Sequence, residues 1–342
     1  MPHWPWPRAI NPHYEEIKAE STNWFRRFKA FSARSQYAFD RCDFTLLAAL
    51  VYPHAQRDQF RVGSDLMFFL FLIDEYTDVE SGPNVQKIVD IIIDALENPE
   101  KPRPKDENIL GEVARQFWVN ASKIASSSSQ LHFLRDVTDY LNSVVQQAED
   151  RDNEIIYSVE SYFKTRRGNV GVRPCFFPFE LGLDLPDEVV YHPVILELAS
   201  CVVDLVTLDN DIVSYNKEQA IGDNFQNVLN VVMHNMETDL EGAIQWAIDY
   251  HNIIQQKFLE GLRRVPSWGN KIDHHQVKQY LFGLANWPRG NSCWSFEGGR
   301  YFGKKGLDYQ RTRLVPLLPK LSPTNETLPR CCENAEVYLV EG

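Results

Sequence analysis

Three oxygen-bearing side chains, Asn210, Ser214 and Glu218, recur at every fourth residue in the segment Asn-Asp-Ile-Val-Ser-Tyr-Asn-Lys-Glu. On an α-helix each step turns about 400°, a drift of only about 40°, so the three share one stripe. An amide oxygen, a hydroxyl and a carboxylate are hard donors suited to one Mg²⁺ ion. Lys217 adds a positive charge at the same helix end. A second acidic set, Asp74-Glu75-Tyr76-Thr77-Asp78, closes the apolar run from Leu66 to Ile73. Asp74 and Asp78 fall on one face, while Glu75 is rotated about 100° from Asp74. Such a cluster is either a solvated helix end or a set of carboxylates at the rim of a buried space. In the second case one or two of them hold Mg²⁺ and a substrate's phosphates complete its shell. Leu70 and Phe71 precede Asp74 on its own face. They read either as plain core or as the wall of a pocket beneath the metal.

The elements that must carry these residues are helices. Apolar residues recur at three-to-four spacing over 43–52, 62–78, 85–97, 109–124, 130–147, 194–214 and 225–264, which predicts an all-α fold. Breakers separate them: Ser81-Gly82-Pro83, the proline-rich run from Asn98 to Pro104, Ser126 to Ser129, and Leu181-Gly182 to Pro186. None is long enough to mark an interdomain linker. Residues 1–310 therefore read as one domain, and 311–342, rich in proline and polar residues without a sustained period, as a partly ordered tail.

Composition narrows the partners. Of 342 residues, 35 are basic and 47 acidic, giving a net charge of −12 with no basic cluster beyond arginine pairs, which argues against nucleic acid. An anionic substrate would be repelled unless metal ions or local basic groups intervened. The longest apolar stretch falls far short of the roughly 20 residues that span a bilayer, so no membrane span is expected. The proline-rich opening lacks the apolar run of a signal peptide. Six cysteines without a Cys-x-x-Cys spacing, two of them the adjacent Cys331 and Cys332, read as reduced thiols of a cytoplasmic protein.

Taken together, the two acidic motifs resemble those of fungal, basidiomycete-like class I sesquiterpene synthases. That family carries an aspartate-rich motif on one helix and NDxxSxxxE on a facing one. Asp74 to Asp78 departs from the commoner DDxxD by Glu75, and Asn210 to Glu218 matches in full. Tyr162 to Gly171 resembles the family's diphosphate-sensing segment, and Arg300-Tyr301 its terminal Arg-Tyr pair. Pro5 to Pro12 resembles the N-terminal segment that packs across the active-site mouth.

The resemblance implies a single helical bundle around a central cavity and three Mg²⁺ ions, two on the Asp74 and Asp78 side and one on Asn210, Ser214 and Glu218. Arg167 would sense the diphosphate, with Val170 and Gly171 at the helix break supplying a carbonyl that assists ionisation. Lys217, Arg300 and Tyr301 would complete the anion clamp. Leu70, Phe71, Trp287 and Trp294 are the candidate cavity walls, since aromatic faces can stabilise a cation by about 0.5 to 2 kcal/mol each. Trp294, seven residues before Tyr301, would share its helix face if the helix continues through Gly298-Gly299.

The implied activity is ionisation of farnesyl diphosphate, with 1,11-cyclisation through a humulyl cation to a Δ6-protoilludene-type product. An acyclic alcohol of the linalool or nerolidol kind is the alternative within the fold. A prenyl diphosphate synthase would carry aspartate-rich motifs on both helices, and a non-catalytic helical scaffold would not need an intact ligand set. The expected state is a monomer or homodimer.

Overall fold

Three-to-four spacing does produce helices in the structure, a computed structural model that describes residues 1, 4–222, 226–269, 272 and 274–320. Three short helices come first, α1 (Tyr14–Arg26), α2 (Ala33–Arg41) and α3 (Phe44–Val51), followed by α4 (Arg57–Thr77), α5 (Gly82–Glu97) and α6 (Ile109–Ala121). The long α7 (Ser127–Asp152) and α8 (Val159–Asn169) lead into single turns, α9 (Phe177–Glu180) and α10 (Asp187–Val190), and then α11 (Pro193–Ile221). The remaining helices are α12 (Val228–Asn235), α13 (Leu240–Arg263), α14 (His274–Glu297) and α15 (Gly306–Thr312). No strand occurs among the described residues, as the all-α reading requires.

Two expectations about the helices need correcting. The continuous helix expected over 225–264 is two, because Glu237 adopts a left-handed φ of 49° and Asp239 caps α13 by accepting from the Gly242 amide at 2.9 Å. Residue 225 itself lies outside the described residues. α14 is absent from the periodic segments, although a helix at Trp294 was expected, since Gly283, Pro288 and Gly290 interrupt its pattern. Gly290 is there for close packing: a Cβ at that position would stand 2.8 Å from the Leu50 carbonyl on α3.

α4 is apolar almost all round, and accordingly lies buried, packed by α1, α3 and α6. Around it Phe25, Phe39, Phe44 and Phe68 form one aromatic cluster, each ring stabilising the fold by about 1.5 to 3 kcal/mol through burial. α14 packs on α3 and α11, and α11 on α13. This arrangement brings the C-terminal ends of α4, α11 and α14 to one end of the bundle, where Arg300 reaches Glu75 and Asn210 reaches Tyr301.

Both flanking segments lie on this frame. The N-terminal segment follows α14: Trp4 Nε1 donates to the Ala285 carbonyl at 2.9 Å, Arg289 Nε donates to the Trp6 carbonyl at 3.0 Å, and Arg8 pairs with Glu297 through two 2.7 Å bonds. Arg8 therefore ends on a carboxylate beside the Arg300 turn. After α15, Asn216 donates to the Pro316 carbonyl at 3.0 Å and accepts from the Leu318 amide at 2.8 Å, while Gln219 donates to the Leu318 carbonyl at 2.8 Å. Residues 321–342 of the expected tail, with Cys331 and Cys332, lie outside the described residues. The other four cysteines are buried free thiols.

Candidate active site

The stripe on α11 forms as its spacing requires. Asn210 Nδ2 donates to Tyr301 Oη at 2.7 Å, Ser214 is buried, and Glu218 Oε2 accepts from Asn227 Nδ2 at 2.8 Å. Burial, with Asp211 nearby, pushes the Glu218 carboxyl up to about 7. A carboxylate so placed is disfavoured in its charged form without a cation, and its neighbours on the stripe are oxygen donors. The site therefore fits a hard divalent ion, with Asn210, Ser214 and Glu218 as the residues that would hold it.

Opposite stands the end of α4. Asp74 accepts from Tyr140 Oη at 3.2 Å, and its recessed position pushes its carboxyl upward against the opposing pull of Arg300. Glu75 is ion-paired with Arg300 at 3.1 Å. Asp78 caps α4 one turn beyond Asp74, with its amide donating to the Asp74 carbonyl at 2.9 Å and its side chain exposed. Lys217 lies at the same end of the bundle, its ammonium pushed down first by burial and then by Arg300.

The arginine facing this site is Arg166, not the expected Arg167. Arg167 makes a bidentate pair with Asp204, both bonds 2.7 Å, and its side chain is 44% exposed. Arg166 reaches Asn210 Oδ1 and Asp211 Oδ1, each at 3.4 Å, and donates to Asn169 Oδ1 at 3.1 Å. Its buried Nε has no hydrogen-bond partner among the described residues. Both arginines reach α11, but successive helical residues diverge by about 100°, which carries Arg167 to Asp204 and leaves Arg166 on the Asn210 and Asp211 turn. Val170 and Gly171 do sit where α8 breaks: Val170 is its C-cap and Gly171 takes φ 72°. A Cβ on Gly171 would meet Tyr140 only at ordinary contact distance, so conformation and not crowding calls for glycine. Its carbonyl accepts from Cys175 Sγ at 3.1 Å.

Arg300 lies over the Phe71 ring, 4.9 Å from its centroid, and Phe71 stacks on Phe44 at 4.0 Å. α14 ends at Glu297, so Trp294 and Tyr301 do not share a helix face. The chain turns tightly instead, Gly298 N donating to the Trp294 carbonyl at 2.7 Å, and the two rings meet edge to face at 5.7 Å. Trp294 is held by its Nε1, which donates to the Cys42 carbonyl at 2.8 Å, and packs tilted on Phe71 at 5.6 Å. Trp287 and Leu70 are buried, with Trp287 Nε1 donating to the Cys175 carbonyl at 3.5 Å. A cavity of 340 Å³ lies apart from all these residues, lined by Trp6, Leu262, Val277 and Phe282 among others, and shares no residue with the carboxylate site.

Sequence reasoning missed Arg166, Tyr140, Tyr162, Asp211 and Asn227. Tyr162 stands four before Arg166, a same-face spacing that could have singled it out, and its hydroxyl bonds Asp211. Asn227 carries no comparable signal, because its partners are fixed only when α12 folds back on α11.

Residues 65–256 match the family model described as terpene synthase family 2, C-terminal metal binding. The chain belongs to the terpene synthase family. This terpene synthase is 56% identical over 96% of its length to sesquiterpene synthase 14 of Postia placenta, covering 93% of that protein. It is 52% identical over 94% of its length to Δ6-protoilludene synthase 18 of the same fungus, covering 91% of it. A solved cucumene synthase variant, 20% identical, superimposes with a TM-score of 0.76 over 85% of this chain and 98% of that one, a likeness of fold. No described helix of the synthase is long and apolar enough to cross a membrane.

A divalent cation held by Glu218 and Asp74 would compete with protons for both. The rise in melting temperature produced by Mg²⁺ with inorganic diphosphate is therefore expected to shrink as the pH falls from about 8 to about 6, where Glu218 protonates. Differential scanning fluorimetry measures this directly, and a shift independent of pH would contradict it.

Proposed function

We propose that this terpene synthase ionises farnesyl diphosphate in a Mg²⁺-dependent reaction and closes the resulting cation between its ends, through a humulyl cation, to a Δ6-protoilludene-type sesquiterpene. The observation that carries this reading is the α11 stripe of Asn210, Ser214 and Glu218, ringed by Arg166 and Tyr301 and opposed by Asp74 and Arg300. Hard-oxygen donors on two facing helices, interleaved with guanidinium groups, suit a polyanion bridged to carboxylates. Three ions are expected, two toward Asp74 and Asp78 and one on the stripe. When bound, Mg²⁺ supplies Lewis-acid stabilisation of the charge that develops on the departing diphosphate.

The chain's own groups do the rest. Arg166, Arg300 and Lys217 bind diphosphate oxygens, and Tyr301 orients them by its hydroxyl. Arginine suits this task because its planar fork can take two oxygens at once. Phe71 and Trp294 turn ring faces to the allylic cation, while Leu70 and Trp287 exclude water. Residues 1–310 are read as the synthase unit, and the segment after them docks on α11 through Leu318.

The names of the relatives, a sesquiterpene synthase and a Δ6-protoilludene synthase, favour the fifteen-carbon substrate and the tricyclic product. Incubation of the protein with farnesyl diphosphate and Mg²⁺, followed by gas chromatography and mass spectrometry, is expected to give a cyclic hydrocarbon. A linear alcohol would keep the ionisation and overturn the cyclisation. No product from any prenyl diphosphate would overturn both.

A further inference from the structure

Asn227 is fully buried at the start of α12, outside both acidic motifs. Its side chain works in two directions. Oδ1 accepts from the Leu229 amide at 3.0 Å and so caps α12. Nδ2 faces α11, donating to the Asp211 carbonyl at 2.8 Å and to Glu218 Oε2 at 2.8 Å, with Ser214 Oγ at 3.5 Å. The adjoining Val228 amide donates to Asp211 Oδ2 at 2.8 Å, and Tyr162 Oη bonds the same carboxylate. One amide group thus touches Glu218 and Ser214, while Asp211 is tied to the same helix start.

We infer that Asn227 is a positioning residue that presents Glu218 and Ser214 to the cation, its Nδ2 engaging one carboxylate oxygen of Glu218 and leaving the other free to face the site. This rests on the reading of Asn210, Ser214 and Glu218 as a divalent-ion site. An amide suits the task. It supplies two N–H donors without adding charge, whereas a second carboxylate at this place would repel Glu218 and a lysine would neutralise it. Partners behind metal ligands commonly tune affinity by one to two orders of magnitude.

The discriminating substitution is Asn227→Asp, which keeps the oxygen that caps α12 and removes the donor to Glu218. Asn227→Ser is the companion, since its hydroxyl still caps a helix but is too short to reach Glu218. Each variant and the wild type are titrated with Mg²⁺ in the presence of inorganic diphosphate, following melting temperature, and Mn²⁺ binding is followed by electron paramagnetic resonance. Both variants are expected to require about ten- to a hundredfold more metal for half-saturation, with the metal-free melting temperature of Asn227→Asp lowered by the buried carboxylate it sets beside Glu218 and that of Asn227→Ser lowered less. Steady-state assays should show the same displacement in apparent KM for Mg²⁺, with kcat at saturating metal changed far less.

A folded variant with wild-type metal titration overturns the inference. So does a lowered melting temperature with unchanged half-saturation, which would make Asn227 structural only. A wild-type protein indifferent to Mg²⁺ and diphosphate would instead overturn the metal reading on which the inference rests.

Discussion

Replacing Glu218 with glutamine is expected to lower kcat by about a thousandfold, a loss of about 4 kcal/mol of transition-state stabilisation. The change removes a charged donor from the α11 stripe and leaves its shape almost intact, so the loss should not come from unfolding. Stability should move the other way. Burial raises the Glu218 pKa to about 7, above the value of an unfolded glutamate. Its contribution to stability is therefore complete below the unfolded value, near 4.3, and is lost as the pH rises through about 7. Glutamine stays neutral throughout, so Glu218→Gln should melt at or above the wild-type temperature at about pH 8 without metal, and the difference should fade toward about pH 4. Thermal melts across that range, run beside single-turnover assays, check both halves. Near wild-type turnover in the variant would remove Glu218 from the ligand set.

The second large effect separates two neighbouring arginines. Arg166→Ala is expected to reduce kcat/KM by about a hundred- to a thousandfold, because it deletes a buried guanidinium facing Asn210 and Asp211. Arg166→Lys should recover only part of this, since an ammonium cannot match a planar fork. Arg167→Ala breaks the pair with Asp204 instead. Asp204 is buried, so this variant should lose some stability while keeping kcat/KM within about threefold of wild type. Side-by-side kinetics and melts of the three variants decide the matter, and an inactive, well-folded Arg167→Ala protein would restore Arg167 to the role the sequence suggested.

The contrast shows which parts of the site were legible. Periodicity alone put Asn210, Ser214 and Glu218 on one stripe, because four-residue steps on a helix admit one arrangement. The choice between Arg166 and Arg167 needed the rotation of α8 about its axis, which depends on how Tyr162 and Phe163 pack and is not written in a local pattern. Asn227 was further out of reach, since its function exists only through the return of α12 onto α11. The fold class followed from apolar spacing. α14 did not, because Pro288 and the packing glycine Gly290 mask a helix whose stability comes from α3 and α11.

Phe71 would link the shape of the proposed cavity wall to the seating of Arg300. Its ring stacks on Phe44 at 4.0 Å, and the Arg300 guanidinium lies against both rings, 4.9 Å from Phe71 and 5.9 Å from Phe44. A change that reshapes the wall at this position also unseats an arginine that the anion would need. With Phe71 in the proposed wall, substitutions there would change the product and the rate together. At Leu70, the neighbouring residue of the proposed wall, a substitution would meet no such arginine and would be expected to alter the product with less loss of rate.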